Sequence, residues 1–411
     1  MTNTYTSVGD DRDERCPFAC GLTSRAPLLF FTSQSSKVTV LENMMLRDSL
    51  LRSMLSIITL SITIADVSAF NPYKYPKKTA ACQAINRATN ETKTIQISYV
   101  DINPTAEKAI IFAHGWPGLW ANWKYQIEAF EKDYHLILPD HRGFGDSTHP
   151  GDVETSGTWG DIVGDIVCVL QHEHVTEATC IGHDWGTEIC FTAGRLRPDI
   201  FKAIVGTGVP YVPHAGHFVS TEALVPLAPK LAYQLYFQNE LETATAELNR
   251  DIRRTLRSVL RSVESPTVHD FLTYNDSFLG AWKDVETIPS VPFLSELEEQ
   301  YWVEQFSKQG FGNTFYFYTK GCNKLTWQQE QDSGNHTILQ PALSILPTQD
   351  PVGNWPLISK MMENHKFIPK LREVTVDTHH WPQLEDPERT NKYIKEFLSE
   401  HWPVLQQHKE L

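Results

Sequence analysis

From about Thr92 onward the apolar residues fall into short runs separated by stretches of helical spacing. Ile95 to Val100 alternates apolar and polar positions as a half-buried strand does. Lys108 to Ala113 and Tyr134 to Pro139 are nearly continuous apolar runs of the kind found in a sheet buried on both faces. Trp123 to Phe130 and Asp161 to Gln171 have helical periodicity, and Ala178 to Ile181 and Phe201 to Val205 return to strand. This alternation predicts an α/β fold with a doubly wound, mostly parallel sheet. Past Pro213 the rhythm stops, and Leu231 to Phe237, Glu240 to Ser262 and Ser295 to Lys308 read as helices in an aromatic-rich segment. Strands resume with Ala342 to Leu346 and Leu371 to Val376, and a helix from Thr390 to His401 closes the domain. The expected organisation is a core formed by 70–212 and 342–411, with 213–341 as a helical lid. Such a lid would roof the carboxyl ends of the strands, where open α/β sheets bind ligands.

The N-terminal part follows different rules. Residues 1–43 are polar and patternless, and an unstructured extension is expected there. Residues 44–69 have the layout of a signal peptide: Arg47 and Arg52, an apolar run from Met54 to Ala65, then the small residues Val67 and Ala69. The run is too short to span a bilayer, so membrane contact is expected only through this segment, if it is not cleaved. The last four residues, His408-Lys409-Glu410-Leu411, are close to the tetrapeptides that retain proteins in the endoplasmic reticulum, and sequons stand at Asn90, Asn275 and Asn335. The expected location is the lumen of the endoplasmic reticulum or the secretory pathway, with the cytoplasm as the alternative. Five cysteines follow Ala69, an odd number, which leaves at least one without an intramolecular partner.

Composition removes several functions. A net charge of -14 without a dense Lys/Arg face argues against nucleic acid as a partner. The seven cysteines form no C-x-x-C pair and no Cys/His zinc spacing, so neither a metal nor a cofactor is expected.

The sharpest motif is Gly182-His183-Asp184-Trp185-Gly186, between a strand ending at Ile181 and an apolar helix. Small residues around a central side chain at a strand-to-helix turn make a nucleophile elbow, here with a carboxylate, Asp184, at its tip. His114-Gly115-Trp116-Pro117 follows the strand ending at Ala113, which is where half of an oxyanion hole belongs. The backbone N–H groups of Trp116 and Trp185 are its expected donors. Asp350 follows the strand Ala342 to Leu346, and His380 follows the final strand, with His379 as a competitor for its role. Nucleophile, acid and histidine thus occur in the α/β-hydrolase order.

From about residue 92 to 402 the chain resembles the epoxide hydrolase branch of the α/β-hydrolases. Besides the triad, the resemblance rests on Arg142-Gly143-Phe144-Gly145-Asp146-Ser147 and on Tyr236-Phe237-Gln238. It implies an epoxide as substrate, which the aromatic-rich lid suggests is hydrophobic or unsaturated, a covalent alkyl ester on Asp184, and water activated by His380 with Asp350 behind it. It also implies two lid tyrosines that hydrogen-bond the oxirane oxygen. Tyr318 matches one of them, whereas Trp302 stands where the other is expected, with Tyr301 one residue earlier. Both are carried as candidates for the second donor. A haloalkane or fluoroacetate-type dehalogenase would use the same nucleophile, with Trp185 and Trp302 as halide holders. A non-catalytic hydrolase-fold binding protein would lack an intact triad.

Overall fold

A computed structural model describes residues 70–407. The extension, the signal-like segment up to Val67 and Ala69, and the terminal tetrapeptide lie outside the described residues. One eight-stranded sheet organises the rest, in the order β1-β2-β4-β3-β5-β6-β7-β8. Strands β1 (Lys77–Asn86) and β2 (Glu91–Ile102) form an antiparallel hairpin, and β2 pairs antiparallel with β4 (His135–Pro139). All other pairings are parallel, through β3 (Ala109–Ala113), β5 (Ala178–His183), β6 (Phe201–Thr207), β7 (Ala342–Pro347) and β8 (Leu371–Val376).

The hairpin strand β1 is absent from the sequence-based expectation. Its inward positions are Ala80, Cys82 and Ala84, small side chains whose alternation with polar neighbours gives a weak apolar signal. By contrast β3, β4, β5 and β7 are buried at every position, which is why they read as unbroken apolar runs. Helix α1 (Lys124–Phe130) packs with the C-terminal helix α9 (Pro387–Gln407), while α2 (Trp159–His172) packs with α3 (Trp185–Leu196).

The chain adds β4 on one side of β3 and then crosses to place β5 on the other. The carboxyl ends of β3 and β5 therefore flank the topological switch point, the place where an open α/β sheet presents a crevice. Between β6 and β7 the chain builds α4 (Ala232–Asn239), α5 (Leu241–Arg250), α6 (Ile252–Val259), α7 (Glu296–Gln309) and α8 (Lys320–Ser333). The stretch expected as one helix over Glu240 to Ser262 is broken between α5 and α6 at Asp251. The backbone there is extended, at φ -146° and ψ 88°, and the side chain caps α6 by accepting from the Arg254 N–H at 2.9 Å. Helix α7 starts at a capping box in which Ser295 and Glu298 satisfy each other's backbone N–H groups.

Two disulfides tie helices to strands: Cys82 on β1 to Cys168 on α2, and Cys180 on β5 to Cys190 on α3. Cys322 is the one cysteine left unpaired among the described residues, and it is buried.

Candidate active site

The turn from β5 into α3 can exist only if its neighbours are small. A Cβ on Gly186 would lie 2.0 Å from the carbonyl oxygen of Ala113, and a Cβ on Gly115 would lie 2.3 Å from Asp184 Oδ1. Asp184 itself holds φ 55° and ψ -125°, a conformation that costs energy for a non-glycine residue and lifts its side chain clear of the sheet. Its Oδ1 accepts a hydrogen bond from the Trp116 N–H at 2.8 Å. Trp185 opens α3 immediately after Asp184, so its N–H belongs to the first turn, whose amides lack partners within the helix. The second carboxylate oxygen, Oδ2, lies 3.4 Å from His380 Nε2.

His380 Nδ1 donates to Asp350 Oδ2 at 2.7 Å. Asp350 is 8% exposed and is fixed by the N–H of Val352 on Oδ1 at 2.8 Å and by Trp355 Nε1 on Oδ2 at 2.6 Å. The competitor His379 also lines the cavity, but it is His380 that joins the two carboxylates. Two further histidines fix backbone rather than touch the Asp184 carboxylate. His183 donates from Nε2 to the His380 carbonyl at 2.8 Å, and burial drops its pKa to about 3, so it does so as a neutral ring. His114 Nε2 accepts from the His141 N–H at 3.0 Å, which leaves Nδ1–H to hold the Gly115 carbonyl at 2.9 Å. In the Arg142 segment, Arg142 makes a buried two-point ion pair with Asp165 at 2.7 and 2.8 Å, and Phe144 packs edge-on against His114.

Burial alone would lower the His380 pKa, but the charge of Asp350 and the hydrogen bond and charge of Asp184 overcome it and hold the imidazole up to about 10. In return His380, together with the Trp116 N–H, keeps the Asp184 carboxyl below its usual range although burial opposes this. A histidine raised from 6.5 contributes stability that is complete below pH 6.5 and is lost as the pH rises through about 10. Thermal melts of the wild type should therefore fall more steeply between those pH values than melts of His380→Gln. Parallel curves would contradict the pairing.

Above the triad lies a cavity of about 910 Å³, mostly apolar, whose wall includes Trp116, Asp184, Trp185, Tyr233 and His380. Tyr318 is buried directly behind this wall, its ring 5.6 Å from Tyr233 and 5.6 Å from Trp185. Burial, together with the Asp184 charge, pushes both phenols well above the ordinary tyrosine range. They stay protonated at any physiological pH.

The two candidates on α7 are turned elsewhere. The Tyr301 hydroxyl accepts from Trp120 Nε1 at 2.7 Å, and Trp302 is buried against Phe306; neither lines the cavity. The second phenol beside Tyr318 is Tyr233, which sequence reasoning missed. Its signal was present: Tyr233 sits on α4 three residues before Tyr236, in the very segment that carried the family resemblance. Among the described residues, the grouping of metal-type ligands is Asp101, His135 and Glu173, and Lys78 Nζ already bridges its two carboxylates at 2.6 and 3.0 Å.

Comparison with known proteins agrees with this geometry. Residues 108–387 match the family model of the alpha/beta hydrolase fold. The chain is 32% identical over 304 residues to Bifunctional epoxide hydrolase 2 of Sus scrofa, covering 71% of this chain and 51% of that protein. It is 28% identical over 316 residues to Epoxide hydrolase A of Mycobacterium tuberculosis, covering 75% of this chain and 96% of that one. The chain thus spans about half the length of the bifunctional relative. The solved structure of Epoxide Hydrolase A from Mycobacterium thermoresistibile superposes with a TM-score of 0.65 at 26% identity, over 79% of this chain and 98% of its own. An epoxide hydrolase from Vigna radiata, at 23% identity and a TM-score of 0.66, shares the fold over 81% of this chain and all of that one. With an aspartate elbow and the Asp350–His380 pair behind it, the chain belongs to the α/β-hydrolase fold family.

Proposed function

We propose that this protein hydrolyses a hydrophobic epoxide to a vicinal diol through a covalent ester on Asp184. The observation that carries the reading is Tyr233, with Tyr318 packed against it, in the wall of a cavity that Asp184 and His380 also line, with Asp350 hydrogen-bonded behind the imidazole. Ring opening needs a nucleophile at carbon and a proton for the departing oxygen. With Oδ1 held by the Trp116 N–H, Oδ2 is the attacking oxygen. It bonds to an oxirane carbon, the C–O bond breaks, and the ring oxygen takes a proton from a lid phenol.

Esterification cancels the Asp184 charge, one of the two that hold the His380 proton. The imidazole pKa falls, and its proton returns to the phenolate. Neutral His380 then takes a proton from water while the hydroxide attacks Asp184 Cγ, with the developing negative charge on Oδ1 facing the oxyanion N–H groups. The bond from Cγ to Oδ2 breaks, and the diol leaves with Oδ2 and a proton from the new carboxyl. The sequence predicts an isotope result. In a single turnover with enzyme in excess in ¹⁸O-water, the first diol should be unlabelled and Asp184 should gain the label. Label in that first diol would mean direct attack by water.

The dehalogenase alternative asks for two indoles at the reacting halide. Trp185 lines the cavity, but Trp302 is packed inside the lid, and the two phenols favour an epoxide oxygen.

The same reading extends to the compartment, for which we propose the secretory pathway. The two disulfides support it, because such bonds persist in oxidising environments. So does the exposure of all three sequon asparagines, Asn90, Asn275 and Asn335. Protein expressed in eukaryotic cells should shift in mobility after peptide N-glycosidase treatment. An unshifted band, with Cys82 and Cys168 open to alkylation, would place it in the cytoplasm instead.

A further inference from the structure

The cavity wall holds a polar group that the chemistry above does not use. Glu188, one helical turn beyond the nucleophile on α3, lines the cavity and is 2% exposed. The Val212 N–H donates to its Oε2 at 3.2 Å, whereas Oε1 has no hydrogen-bond partner among the described residues. The nearby cation that would neutralise it, Arg195, is committed to Glu330 through its Nη2 at 2.7 Å. Burial first, then the charges of Glu330 and Asp184, push the Glu188 carboxyl well above its usual range, so it keeps its proton. Because Oε2 accepts from Val212, the proton sits on Oε1. A buried O–H donor without an acceptor of its own therefore belongs to a residue of the cavity wall. A leucine or methionine at this position would complete an apolar wall without the cost of burying an unpaired polar group.

We propose that Glu188 forms a hydrogen-bonding subsite, which takes an epoxide carrying a second oxygen acceptor, such as a carbonyl or ether, about 6 Å (one helical turn) from the reacting carbon. The inference rests on the epoxide reading for its substrate class. An anionic substrate tail is a poor fit, because Glu330 and Asp184 both place negative charge around this donor.

The test compares straight-chain terminal epoxides with the same chains bearing a ketone at successive carbons. At one ketone position the wild type should prefer the ketone by roughly tenfold in kcat/KM, the worth of one buried hydrogen bond. Glu188→Leu should bring that ratio near unity, and Glu188→Gln, whose amide can still donate, should keep part of it. A ratio unchanged in both variants overturns the proposal. A second arm does not depend on turnover. Unreactive long-chain ketones and matched alkanes are titrated against the intrinsic fluorescence of the cavity tryptophans, which include Trp185 and Trp327. Tighter ketone binding in the wild type alone supports the subsite, and equal discrimination in all three proteins overturns it. If the wild type binds ketones in this way but opens no epoxide, the epoxide reading fails and the subsite stands.

Discussion

Asp184→Asn should lower epoxide turnover by about 10⁴-fold or more, because without the carboxylate the ester cannot form. The substitution suits the question, since asparagine keeps the shape of the side chain and tolerates a positive φ better than most residues. The fold should therefore persist, as judged by circular dichroism and a cooperative thermal melt. A second readout follows from the electrostatics. Asp184 is one of the two carboxylates that hold His380 up to about 10, so its neutral replacement should drop the imidazole well below that value. The variant thereby imitates the charge state of the ester intermediate. Nitrogen-15 titration of His380 would measure the drop. A variant with more than a few per cent of wild-type turnover, or an imidazole that still titrates near 10, would remove Asp184 from the centre of the mechanism.

The second large effect is expected when both lid phenols are lost. Tyr233→Phe and Tyr318→Phe should each slow ring opening by roughly 10- to 100-fold, because the remaining hydroxyl still protonates the departing oxygen. The double variant should lose about 10³-fold or more, since an alkoxide then has to leave unassisted. Pre-steady-state measurement would locate the loss in ester formation and leave ester hydrolysis close to normal. Tyr301→Phe is the control: its hydroxyl accepts from Trp120 away from the cavity, so turnover should stay near wild type. If Tyr301→Phe were the damaging change and Tyr233→Phe harmless, the assignment of the second donor would be reversed.

These two cases show which parts of the site are legible in a sequence. The elbow, the oxyanion strand end and the triad order were readable because each is local: a few residues at the end of one apolar run must be small, or carry one kind of side chain, for the backbone to turn. The fully buried strands were readable for a similar reason, since burial on both faces forces an unbroken apolar composition. The second phenol was not readable by counting along α7. Which side of a lid helix faces the cavity depends on how that helix packs, and here packing sends Tyr301 toward Trp120 and Trp302 toward Phe306. Tyr233 comes from a helix more than sixty positions earlier and meets Tyr318 only through the tertiary fold. Strand β1 escaped notice because alanine and cysteine carry its inward face. The choice between His379 and His380 likewise needed geometry, because adjacent residues share every sequence context but point in different directions.

The central claim is the covalent ester, and His380→Ala tests it most directly. The variant keeps Asp184 and the lid phenols and lacks the base that releases the ester. After incubation with a panel of hydrophobic epoxides and haloalkanes, the account predicts an intact mass raised by one whole epoxide, with the added mass mapping by peptide analysis to Asp184. A gain of an alkyl group after loss of halide, with no epoxide adduct, would assign the dehalogenase reaction instead. No adduct from any epoxide, while the wild type still turns one over, would contradict the covalent route through Asp184.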